Sequence, residues 1–197
     1  GGSDVSMALY RKGYIKQNGM VFELSPLKNT RERFNADKMY NNLMENYSYG
    51  AMNNPNVLTD YYARRHTAQY RLHFYSLAED YMRKALQAEE ENKRIEMFAE
   101  NPLASDVPEK TSEKVIAGYM TRARKLIQRS LEVMPANIVL DYGEPSGSRQ
   151  ETYNVDGKSL SGFEDGILHK YVGLLYISGD KDGAEKLGLE LASQLEA

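Results

Sequence analysis

Apolar residues alternate only near the start of the chain and fall at helical spacing along most of the rest. The alternating part comprises Tyr14-Ile-Lys-Gln17 and Met20-Val-Phe-Glu-Leu24 on either side of Asn18-Gly19. Asn-Gly supplies the positive-φ positions of a tight turn, so this stretch predicts a β-hairpin, closed by Pro26. A lone two-stranded hairpin is marginal in water and has to dock on something. Helical spacing begins at Met39, Tyr40, Leu43, Met44 and Tyr47, which predict a short helix over 35–49 ended by Gly50. A long helix follows from Thr59 or Asp60, with the stripe Tyr70, Phe74, Leu77, Tyr81 and Leu86. The stripe fades through Glu89-Glu-Glu-Asn-Lys-Arg94, resumes at Ile95, Met97 and Phe98, and stops at Asn101-Pro102.

Beyond a linker over 104–112, Val115, Ile116, Tyr119, Met120, Ala123, Ile127, Ser130, Leu131 and Met134 mark a further helix that stops at Pro135. Glycines and Pro145 break the stretch 136–162, although Tyr142, Tyr153, Val155 and Leu160 suggest that parts of it pack down. Ser161-Gly-Phe-Glu164 reads as a capping box for a helix with Ile167, Leu168, Tyr171, Val172 and Leu175 on its buried face. Ser178-Gly179-Asp180 is a turn, Asp180 caps the final helix, and Ala184, Leu187, Leu191 and Leu195 line it. The expected fold is mainly α: tetratricopeptide-like antiparallel helix pairs of the α-α superhelix kind, with a small N-terminal β-hairpin. The segment 1–34 carries the hairpin and 35–197 the helical domain.

Two spacings carry the repeat resemblance: Ala123, Ile127, Ser130 and Pro135, and Gly179-Asp180, Ala184, Gly188 and Leu191 preceded by Tyr171 and Leu175. In such repeats a small residue on the second helix lets it approach the first. The long link before the first B helix, and Gly188 where a large residue is usual, leave one degenerate repeat and one complete pair. Helix pairs that cannot bury their apolar faces alone stack on neighbours, and the concave surface so formed binds protein segments. The alternative is that the small residues are simply helix-packing positions.

The chain has 197 residues, enough for a hydrophobic core without metals or disulfides. With 41% hydrophobic and 27% charged residues it is an ordinary globular composition, and a net charge of -3 gives no footprint for nucleic acid. There is no Cys, which removes disulfides, thiolate nucleophiles and Cys-based metal sites. No apolar run is long enough to span a bilayer, and the first residues do not read as a signal peptide. The opening Gly1-Gly2-Ser3, without an initiator Met, reads as a trimmed start.

A series of ordered segments spans most of the chain. They are Leu9-Tyr-Arg-Lys-Gly13, Phe22-Glu-Leu-Ser-Pro26, Met39-Tyr-Asn-Asn-Leu-Met44, Tyr49-Gly-Ala-Met52 and Asp60 with Arg64-Arg65. Tyr70-Arg-Leu-His-Phe74, Leu77-Ala78, Val133-Met-Pro135, Tyr176, Gly179-Asp180 and Ala184 continue the series. Each motif is weak alone, but in this order they resemble a bacterial family of multi-spanning membrane proteins related to protein O-mannosyltransferases, long known as a domain of unknown function. The acidic stretch after Leu86 and the loop 136–162 are enlarged relative to the family pattern. The resemblance implies a soluble C-terminal tail at the periplasmic face of the bacterial inner membrane, attached to a glycosyltransferase-like body that uses a lipid-linked sugar. The catalytic acid of such a parent lies in a membrane-proximal loop outside this chain, so no catalytic residue carries over.

Candidate sites are few. Arg64, Arg65 and Arg71, with Tyr70 and either Arg11 or Lys12, could hold an anion or a partner, since guanidinium forks suit phosphate and carboxylate. The competing reading is a solvated face, or ion pairs with Asp60 and Glu79. His66 and His73 lie two helical turns apart and His169 is distant, so surface or packed histidines are expected rather than a metal site. Arg122, Arg124, Lys125 and Arg129 read as the solvated side of an amphipathic helix. No nucleophile elbow or glycine-rich phosphate loop occurs. The expected function is a non-catalytic interaction or assembly domain, with no cofactor and no metal, whose partner is a protein segment or the parent's membrane domain. A small soluble anion- or sugar-phosphate-binding protein using the 64–71 region, and a purely structural tail, are the other two readings.

Overall fold

The computed structural model describes residues 4–26, 28, 34–57, 61–100, 107–139, 151–155, 158–162 and 167–195, without the side chains of 4–7, 61–69, 151–155, 158–162, 194 and 195. The chain is mainly α, with a small two-stranded antiparallel sheet near its N-terminus. Helix α1 (Asp4–Arg11) precedes strands β1 (Ile15–Gln17) and β2 (Phe22–Leu24), and α2 (Ala36–Asn41) follows. Helices α3 (Tyr61–Ala99) and α4 (Glu113–Val133) form one antiparallel pair, and α5 (Ile167–Ile177) and α6 (Lys181–Leu195) form another. At 39 residues α3 is about 58 Å long, far longer than any other element.

The first pair is fixed at three levels. Arg71 on α3 reaches the end of α4 at Met134, Tyr81 meets Arg122, and Asn92 meets Thr111 just before α4 begins. Asn92 is a weak helix former within the polar run of α3, and its amide explains its presence. Its Nδ2 donates to the Thr111 carbonyl at 2.7 Å and its Oδ1 accepts from the Thr111 N–H at 2.8 Å, pinning the returning linker. Between these ties Phe74, Leu77, Ala78, Ala123, Leu126 and Ile127 are fully buried. The second pair packs across α4: Leu168, Tyr171 and Leu175 join the same core, as do Ala184, Leu187 and Leu191 of α6. Asp180 caps α6 as expected, its Oδ1 accepting from the Gly183 N–H at 3.0 Å.

Several boundaries depart from the sequence reading. Helix α1 was not anticipated; Gly13, at φ 80°, ends it. The hairpin register pairs Gln17 with Phe22, and the Asn18 N–H donates to the Val21 carbonyl. The central turn residues are therefore Gly19 and Met20, not Asn18 and Gly19. Gly19, at φ 94°, occupies the first central position, where a type II′ turn demands positive φ. Asn18 is instead the clasp: its carbonyl accepts from Asn42 Nδ2 and from the Tyr47 hydroxyl. A Cβ at Gly19 would fall 2.7 Å from that hydroxyl, so the turn needs glycine for space as well as for φ. The helix expected over 35–49 stops earlier, passing into a π-helical turn at Asn42–Asn46. Within the expected loop 136–162, Ala136 and Val139 are buried. Strands β3 (Glu151–Val155) and β4 (Lys158–Gly162) pair antiparallel there. Ser161 and Gly162 lie in β4, so Ser161 does not cap α5; Phe163 and Glu164 of that expected capping box, like the caps Thr59 and Asp60, lie outside the described residues.

The hairpin docks on α3 through Gln17, whose Nε2 donates to the Gly19 carbonyl at 2.9 Å and lies 2.7 Å from His73 Nδ1. Because this amide nitrogen can only donate, Nδ1 accepts and the neutral ring carries its proton on Nε2. Burial holds the His73 pKa below its ordinary value of 6.5. The unfolded chain therefore takes up a proton that the folded chain resists, so stability falls as pH drops through and below 6.5. Thermal melts at about pH 7.5 and about pH 5.5 should show this loss, and His73→Gln should shrink it. An unchanged difference between the two pH values in His73→Gln would contradict the assignment.

Candidate functional site

Among the described residues, those singled out in the sequence take different places. Arg71 is fully buried, and its Nη2 donates to the Met134 carbonyl at 2.8 Å and to the Pro135 carbonyl at 3.3 Å. The last carbonyls of a helix have no intrahelical partner, and Arg71 supplies donors for those at the end of α4. Its guanidinium is thus turned inward, away from any external anion. Tyr70 is half-buried against the core. Arg64, Arg65 and His66 belong to the first part of α3, where the side chains lie outside the described residues. Glu79 accepts from the Tyr75 hydroxyl at 2.6 Å and not from an arginine, and Asp60 lies outside the described residues. Arg11, Lys12 and His169 are exposed, and His73 is committed to Gln17. Among the described residues no group of three or more His, Asp or Glu is placed to hold a metal, and no helix is long and apolar enough to cross a membrane.

The basic stretch of α4 was expected to be a solvated face; Arg122 and Lys125 are exposed as expected, whereas Arg124 and Arg129 are half-buried. Arg124 donates to the Ser178 carbonyl at the end of α5, repeating what Arg71 does for α4. Arg129 pairs with Glu132 at 2.8 Å. Arg122 instead enters a cleft where α2, α3 and α4 meet, lined by Asn35, Ala36, Asp37, Tyr81, Lys84, Val115, Gly118, Tyr119 and Arg122. Its open volume is about 460 Å³.

Helical spacing assembles this cleft. Tyr81 and Lys84 are one turn apart on α3, and Tyr119 and Arg122 are one turn apart on α4, so each helix presents a tyrosine followed by a cation. The two tyrosine rings stack at 6.0 Å between centroids and 25° between planes. Arg122 lies over the rings of Tyr40 and Tyr81 at 5.4 and 5.7 Å, and Lys84 over Tyr81 at 6.0 Å. Arg122 Nη1 donates to Asp37 Oδ1 at 2.6 Å and to the Tyr81 hydroxyl at 3.2 Å. The Asp37 bond, then the Tyr81 bond, holds the Arg122 pKa above its ordinary value. Burial raises the Tyr81 pKa, so that phenol stays neutral at physiological pH. Lys84 pairs with Asp80 at 3.0 Å, a buried carboxylate that also meets Arg83. The cleft therefore carries two cations on an aromatic floor, Arg122 paired with the exposed Asp37 and Lys84 with the buried Asp80. The repeated tyrosine-then-cation spacing was visible in the sequence, but its pairing across 41 positions depends on the register of α3 against α4.

No family model, curated protein or solved structure matches this chain.

Removing the inward arginine should be costly. Arg71→Met should lower unfolding stability by roughly 2–3 kcal/mol, because it leaves buried carbonyls without charge-assisted donors. Arg83→Met, at an exposed side chain, should stay within about 0.5 kcal/mol. Urea denaturation of the two variants checks the contrast; equal effects would refute the bracing role.

Proposed function

We propose that this chain is a non-catalytic helical interaction and assembly domain, the extracytoplasmic C-terminal part of a glycosyltransferase-like bacterial membrane protein of the family it resembles. On this reading it faces the periplasm at the inner membrane, needs no cofactor, and binds a protein segment or the parent's membrane domain without entering the bilayer. The ordered motifs of the sequence support the parentage. The observation that carries the interaction role is the apolar face of the hairpin. Phe22 and Leu24 are two residues apart on β2, hence on one face, and are 62% and 67% exposed. Among the described residues β2 pairs with β1 alone, so its outer edge has hydrogen-bonding capacity to offer. Exposed apolar side chains beside an open strand edge favour addition of an extended segment from a partner. Met97 and Phe98, at the far end of α3, are exposed as well.

The reading of a soluble anion- or sugar-phosphate-binding protein acting through the 64–71 region has the inward-turned Arg71 against it.

Two measurements test the proposal. The reading frame upstream of Gly1 should encode several membrane-spanning segments; a frame without them would overturn the parentage. Co-expressed as separate polypeptides, the chain should co-purify with that membrane portion, and Phe22→Glu with Leu24→Glu should reduce recovery about tenfold without lowering the melting temperature. Undiminished recovery of the double variant would remove the hairpin from the interface.

A further inference from the structure

We propose that the cleft between α2, α3 and α4 binds a small hydroxylated anion, its phosphate or carboxylate group held by Arg122 and Lys84. This site is separate from the hairpin face and does not rest on the interaction reading. Size is the first argument. At about 460 Å³ the cleft is far larger than a bare inorganic ion needs and falls within the range of small-molecule sites.

Charge is the second argument. Lys84, paired at 3.0 Å with the buried Asp80, and Arg122 both line the cleft, so two cations border one volume. Only Nη1 of Arg122 is engaged among the described residues, by Asp37 and Tyr81 together. The remaining edge of its guanidinium is a fork suited to two oxygens of one anionic group. Stacking over Tyr40 and Tyr81 holds that fork in place before a ligand arrives. Asp37 is the partner a ligand would replace. Its side chain is 79% exposed, and such surface pairs contribute little to stability. Once displaced, its carboxylate remains at the rim as an acceptor for ligand hydroxyls, alongside the Asn35 amide and the Tyr119 phenol.

Space is the third argument. Gly118 faces the cleft, and a Cβ there would meet nothing within 4 Å. A glycine inside a helix is disfavoured relative to other residues, so Gly118→Leu should strengthen α4 while its side chain fills the cleft. That variant separates ligand binding from folding.

Isothermal titration of the full chain with glucose 6-phosphate, glucuronate, glucose and inorganic phosphate tests the proposal. At least one charged sugar should bind; which one binds distinguishes a phosphate from a carboxylate ligand. Glucose should give no heat, and inorganic phosphate should bind at least several-fold more weakly than the bound sugar. Arg122→Met and Lys84→Gln should each weaken binding about tenfold, Gly118→Leu should abolish it with an unlowered melting temperature, and Asp37→Asn should tighten it. No binding by either charged sugar would overturn the proposal. So would equal binding of glucose or of inorganic phosphate, or binding that survives both Arg122→Met and Gly118→Leu.

Discussion

The buried end of α4 imposes the constraint on which the rest of the structure depends. A helix leaves its last carbonyls without intrahelical partners, and at Met134 that carbonyl lies inside the protein, against α3, while the next one, of Pro135, already accepts from the Ile138 and Val139 N–H groups. Arg71 answers them from α3, and the hydroxyl of Tyr171 on α5 lies 3.1 Å from the Arg71 carbonyl and 2.8 Å from Ser130 Oγ on α4. Three helices thus meet at one buried polar crossing, surrounded by Phe74, Leu126, Ile127 and Leu168. A polar group in such surroundings is costly unless paired, so the crossing selects one register among packings that apolar contact alone would nearly equalise. Arg124 at the end of α5 applies the same solution one helix further along.

This use of arginine decides which cations stay at the surface. Arg71 and Arg124 are consumed by helix ends, whereas Arg122 and Lys84 stay at the rim of an open cleft. Arg122 and Arg124 differ by two positions on one helix, so they point to different sides, and their fates diverge accordingly. The hairpin, clasped through Asn18, Gln17 and Tyr47, presents its other face outward. The exposed hairpin face and the cleft are therefore distinct regions of one helical body.

Much of the fold was legible because apolar spacing dominates it. The stripes Phe74-Leu77-Tyr81, Ala123-Ile127-Ser130 and Leu168-Tyr171-Leu175 are the buried faces observed, and Asp180 caps as its position implied. What spacing cannot carry is register and depth. Asn-Gly signalled the hairpin but not which two residues form the turn, because Asn18 is drawn away by Asn42 and Tyr47. Arg71 sits in a polar gap of its stripe, and a charge there reads as exposed until the end of α4 is known to lie opposite. The cleft is harder still: Asp37 and Arg122 are 85 residues apart, and nothing local to either predicts the other.

The crossing itself is open to direct measurement by a double-mutant cycle on Ser130→Ala and Tyr171→Phe. Ser130→Ala removes the α4 end of a 2.8 Å contact, and Tyr171→Phe removes its α5 end together with the contact to the Arg71 carbonyl, so only the cycle isolates the shared contact. If that contact locks the helices, the two losses in unfolding free energy should be non-additive, with a coupling of about 1 kcal/mol. Losses that add to within about 0.3 kcal/mol would show that apolar packing alone sets the arrangement, and would contradict the account.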